Sequence, residues 1–168
     1  MKYINRILIT ITIILGLATL SYADFCFNIE FPGKATLDNT TTKGNLGDLK
    51  SSAAYYDTEG LSLVADKMIA PESLFKQRTN DEIAMSIVKS IANELKITDI
   101  KRAKIKNTYI ALMAKGDVLC RMAIFIKPPN IILLLAVDFD RKHNKEVMAF
   151  FKSFKEIDCN SAPGTNIR

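Results

Sequence analysis

A single histidine and three cysteines in 168 residues leave little material for the commoner catalytic centres. With one imidazole, any Ser-His-Asp or Cys-His system has to run through His143. That residue lies in the charged stretch DFDRKHNKE, where a solvated connection is the expected setting, and no G-x-S-x-G elbow accompanies it. No Walker loop, dinucleotide fingerprint or zinc-ligand spacing occurs, so no cofactor is expected. No internal repeat divides the chain. A strong excess of one charge is missing too. The 23 basic residues exceed the 18 acidic ones by five, and setting aside Lys2 and Arg6 of the leader described next lowers the excess to three. So mild a balance argues against a nucleic-acid partner.

What is present begins with MKYINRILITITIILGLATLSYA. Lys2 and Arg6 precede an apolar run from Ile7 to Leu20, and the small residues Ser21 and Ala23 flank Tyr22. This is the order of a secretory signal peptide, and the run is short against the roughly 20 apolar residues of a membrane span. Cleavage after Ala23 is expected, with an uncleaved anchor as the alternative. Asp24 and Phe25 stand where a lipoprotein signal needs small residues before Cys26. The expectation is therefore a periplasmic or secreted protein, with residues 1–23 as signal peptide and 24–168 as one domain. A chain of that size buries roughly 68–70% of its unfolded surface.

Export favours oxidised thiols. Cys26, Cys120 and Cys159 allow three single bridges, and spacing alone does not choose. Cys120 shares a strand face with Val118, Met122, Ile124 and Ile126 and reads as a buried apolar residue. Cys26 alternates with phenylalanines on the more polar side of FCFNIEF, and Cys159 follows the last helix in DCNSAPG. The expected disulfide joins Cys26 to Cys159.

Strands are expected at Phe25 to Phe31, within LKSSAAYYDT and LSLVADKMI, and then in four successive stretches: ITDIKRAKI, TYIALMAK, VLCRMAIFIK and IILLLAVDF. The segment DNTTTKGNLGD reads as a polar loop. Breaks at Lys106-Asn107, Gly116-Asp117 and Pro128-Pro129-Asn130 are short, so the four later strands run antiparallel in sequence order. Ile131 to Val137 is apolar on both faces and is expected at the sheet centre. One helix starts at Asn80 or Asp81, with Ile83, Ile87, Val88, Ile91 and Leu95 on one side. A second starts near Asn144, with Val147, Phe150, Phe151, Phe154 and Ile157 as its apolar face. The fold class is α+β: a mainly antiparallel sheet of about six to seven strands flanked by two helices.

FNIEFPGK near the start, a strand carrying Tyr55 and Tyr56 after a polar loop, and the closing VMAFFKSFKEI together resemble the PsbP-like (Mog/PsbP) superfamily. The resemblance covers most of the chain after the leader and implies an antiparallel sheet between helices, a PsbP-like sandwich. The chain departs from the pattern at Ala35, where many relatives carry proline, and at Ile131 to Leu135, where a tyrosine is frequent. The resemblance implies no active-site residues.

Three groups remain as candidate contacts. Arg102, Lys104 and Lys106 in KRAKIK would point one way from a strand, with Ala103 and Ile105 turned inward. Such a row suits anionic lipid headgroups, polysaccharide or an acidic protein patch, or serves as a solubilising outer face or as charge that discourages edge pairing. Tyr55 and Tyr56 point to opposite faces, so one should be exposed or line a groove as a partner contact. Asp138 and Asp140 project from one strand end, but Arg141 and Lys142 follow and would repel a cation. The leading expectation is an exported, non-enzymatic binding or accessory domain acting on a protein or envelope component. The alternative is a ligand-binding or weakly enzymatic periplasmic protein with a cleft near Tyr55 and Asp138 to His143.

Overall fold

The computed structural model describes residues 27–156. The expected signal peptide, Cys26, Ile157 and Cys159 lie outside the described residues, and with them the expected cleavage and disulfide.

Seven strands form one antiparallel sheet: β2 Thr36–Gly44, β3 Gly47–Asp57, β4 Leu61–Ile69, β5 Asp99–Ile105, β6 Thr108–Lys115, β7 Val118–Lys127 and β8 Asn130–Asp138. Their spatial order is β2-β3-β4-β8-β7-β6-β5. A two-residue strand β1, Phe27–Asn28, pairs separately with β9, Lys155–Glu156. Between β4 and β5 run the short helix α1, Glu72–Gln77, and the long helix α2, Asn80–Leu95. Helix α3, Asn144–Ser153, follows β8. The fold is α+β with a seven-stranded antiparallel sheet between helices.

Local chemistry sets these boundaries. Strands β5 to β8 are linked by two-residue turns, and Gly116 occupies the left-handed region at φ +57° that glycine adopts at no steric cost. Helix α2 opens with a capping box: Thr79 accepts the Glu82 N–H, and the Glu82 carboxylate accepts the Thr79 N–H at 2.8 Å. The cap is thus one residue earlier than Asn80, because threonine supplies the acceptor and Glu82 completes the reciprocal pair.

The core has two layers. On one face, α1 and α2 cover Val64, Met68, Ala111, Met113, Cys120, Met122, Ile124 and the odd residues Ile131 to Val137. Ile83, Val88 and Ile91 of α2 are buried there, each side chain contributing about 1.5–3 kcal/mol. On the other face, α3 and the segment from Phe27 to Phe31 cover Leu61, Leu63, Ala65, Ala123, Ile132, Leu134 and Ala136. Phe125 stacks on Phe154 with ring centroids 4.6 Å apart. Strand β8 contributes to both layers and is the fourth strand of seven, as its two-faced apolar run requires.

Two expectations change. The stretch read as a polar loop is most of β2 and its hairpin, since threonines favour extended backbone and an edge strand with one side open tolerates polar residues. Among the described residues of the expected first strand, only Phe27 and Asn28 pair. Phe27 and Ile29 are buried against the α3 face, so the segment packs as a cover and not as a sheet member.

Candidate functional site

Ala103 and Ile105 do not face inward. By register, Ala103 lies opposite Ile110 and Ile105 opposite Thr108, on the α3 side of the sheet, beyond the reach of α3. Among the described residues, β5 and β6 contribute nothing to the buried core on that side. The result is an open strip in which Ile105 is 58% exposed and Ile110 and Leu112 are each 37% exposed. Leu112 is flanked by Lys101 on β5 and Arg121 on β7. Asp99, at the far end, is the one acid among the β5–β7 strand positions on this side.

Arg102 and Lys104 emerge on the opposite side and hold β5 to α2. Arg102 Nη1 donates to Met85 Sδ at 3.3 Å, and Lys104 Nζ donates to Asp81 Oδ1 at 2.7 Å. Tyr109 also donates its hydroxyl to Asp81, and the Lys104 ammonium sits 4.7 Å from the Tyr109 ring centroid. The hydrogen bond from Lys104, then that from Tyr109, holds the Asp81 carboxyl below its usual range. Lys106 is in the β5–β6 turn at φ +53°, so the three cations do not form a row.

Tyr55 and Tyr56 occupy opposite faces, as alternation requires, and both are half-buried: Tyr55 against the α2-side core and Tyr56 against the α3-side core. Burial, with Asp38 and Asp57 nearby, pushes the Tyr55 phenol up. Tyr55 and Asp138 face opposite sides of the sheet, and β5 is at its far edge, so these groups do not line one cleft. A shallow groove of ≈ 380 Å³ lies elsewhere, between Glu30, Phe31 and Pro32 and the side chains Lys145, Glu146, Ala149 and Phe150 of α3.

The β8–α3 connection brings together residues that sequence spacing treats separately. Asp138, the last residue of β8, is 3% exposed; its Oδ2 accepts the backbone N–H of His143 at 3.2 Å, which opens α3. Its other oxygen, Oδ1, is inaccessible and has no hydrogen-bond partner. Leaving a buried polar atom unmatched costs about 1–3 kcal/mol, more when charged. Arg141, at φ +61°, reverses the chain, so that Asp140 Oδ1 comes within 3.7 Å of His143 Nε2. One ligand atom from each of Asp138, Asp140 and His143 lies within 4.8 Å of the others. Gly60 forms a wall: a Cβ there would stand 2.7 Å from His143 Nε2, so any larger residue would push the ring from its present position. The expected repulsion by Arg141 and Lys142 takes a different form. Arg141 Nη2 turns away to donate to Gly116 O at 2.7 Å, and exposed Lys142 pairs with Asp140 Oδ2 at 3.1 Å. That ammonium keeps the Asp140 carboxyl below its usual range.

One further ionisable group escaped the sequence reading. Asp66 is buried on the α2 face, where Ser51 Oγ donates to its Oδ1 at 2.7 Å. Burial pushes its carboxyl up to about 7, with the Ser51 hydrogen bond opposing and Asp38 assisting. The alternation LSLVADKMI placed it on an inward face, and that was the available signal.

Compared with known proteins, the chain matches no family model, no curated protein and no solved structure.

Proposed function

We propose that the chain is an exported, non-enzymatic binding domain of the cell envelope that docks a partner protein on the open strip of β5 and β6. The observation that carries this reading is the half-covered face: α3 shields β4 and β8, while Ile105, Ile110 and Leu112 stay open beside it. An amphipathic helix laid beside α3 would complete the layer as α3 itself does. Lys101 and Arg121 flanking Leu112 call for acidic residues on that helix. The strip is part of a sheet face and not a protruding loop, which suits a protein surface better than insertion among lipid headgroups. Export rests on the leader, and membership of the PsbP-like superfamily is proposed on FNIEFPGK, the strand carrying Tyr55 and Tyr56, and the closing VMAFFKSFKEI.

A photo-crosslinking residue at Leu112, compared in cells with one at Lys43 on the far edge strand, tests the docking. The expected result is one dominant heterologous adduct at Leu112 that is lost on Ile110→Asp and absent at Lys43. Adducts of the chain with itself only, no adduct, or partition to anionic vesicles in place of a protein partner would overturn it.

A further inference from the structure

We propose that Asp138, Asp140 and His143 bind a divalent transition-metal ion where β8 turns into α3. Two carboxylates and one imidazole supply two negative charges and three donors converging within 4.8 Å. Ligands of one such ion lie about 2.0–2.2 Å from it, so all sit within roughly 4.4 Å of each other. A second observation points to a cation independently of this clustering. Asp138 is 3% exposed, and its Oδ1 lacks any donor although Oδ2 is satisfied by the His143 N–H. A cation satisfies that oxygen directly.

The donor set selects the class of ion. Imidazole suits zinc and its neighbours, carboxylates suit manganese as well, and all-oxygen ions gain little from a histidine. By the usual affinity order, Zn2+ binds more tightly than Mn2+. Three protein ligands leave further coordination positions open to water or to a donor from a partner. Lys142 is the internal competitor, since its ammonium holds Asp140 Oδ2 at 3.1 Å. Its side chain is 78% exposed and free to swing into solvent when an ion arrives. Gly60 keeps the space beside Nε2.

Calorimetric titration of the untagged mature chain with ZnCl2 and MnCl2, with MgCl2 for comparison, tests the site. One Zn2+ per chain is expected, with weaker Mn2+ binding and no measurable Mg2+ binding. His143→Gln and Asp140→Asn, both at the surface end of the cluster, should each weaken Zn2+ binding at least tenfold while leaving the circular dichroism unchanged. Lys142→Ala should tighten it. A Cys26→Ser/Cys159→Ser variant should bind as the parent does. Absence of Zn2+ binding, binding by either ligand variant as tight as the parent's, or loss of binding in the cysteine variant would each overturn the assignment.

Discussion

Asp66→Asn is the substitution with the clearest expected signature, because one buried carboxyl controls a defined pH window. An unfolded aspartate ionises near 3.8, whereas Asp66 in the folded chain ionises near about 7. Between those values the folded state binds the proton and the unfolded state does not, so stability falls as pH rises. Below about 4 both states are protonated and the effect vanishes; above about 7 both are ionised and the loss is complete. Three pH units at about 1.36 kcal/mol each give an upper value of about 4 kcal/mol. For a domain of this size that corresponds to a fall in Tm on the order of 10 °C. Asparagine keeps an acceptor for the Ser51 hydroxyl and carries no charge. The variant should therefore melt at a nearly constant temperature from pH 4.5 to 8 and exceed the parent at pH 8. Asp81, Glu82 and Asp140 have depressed folded values, so their contributions are lost only as pH falls below the ordinary carboxylate range, outside this window. Thermal melts by circular dichroism across that range decide the matter. Parallel curves for parent and variant would refute the burial argument.

Other expectations are simpler. Non-reducing peptide mapping of exported protein should recover a Cys26–Cys159 linked peptide and a reduced Cys120, whose thiol burial pushes up to about 12. A bridge involving Cys120 would contradict the placement of that residue at 0% exposure. Thr79→Ala removes the α2 capping box and should lower unfolding free energy by about 1 kcal/mol in urea titration. Phe150→Ala empties the centre of the α3-side core and should cost about 3–5 kcal/mol.

The readable parts of the sequence were those where pattern and punctuation agree. Strands β5 to β8 are each bounded by a two-residue turn, and β8 is apolar on both faces, which fixes its central position. Helices α2 and α3 show their buried stripes directly in Ile83, Val88, Ile91, Val147 and Phe150. Strand β2 was obscured because an edge strand carries polar residues, the same residues that fill loops. Alternation in KRAKIK separates two sets of side chains but does not say which set faces a helix, and the set that bonds to α2 proved to be Arg102 and Lys104, both still exposed. His143 joins Asp138 and Asp140 through a left-handed Arg141, a backbone conformation that charge pattern does not encode.

The pairing of β4 with β8 also has a temporal side. The chain is made from its N-terminus, so the hairpins β2–β3 and β3–β4 are complete long before β8 emerges. Until then β4 is an unpaired border, and eight of its nine residues are ones the finished fold buries. Even the nearest partners across this seam, Ile69 and Asn130, enclose two helices and three strands. Pairing over such a separation is slow, and an apolar border left open meanwhile is a template for other chains. A nascent molecule therefore presents an apolar β4 border until the C-terminal hairpins arrive to cover it.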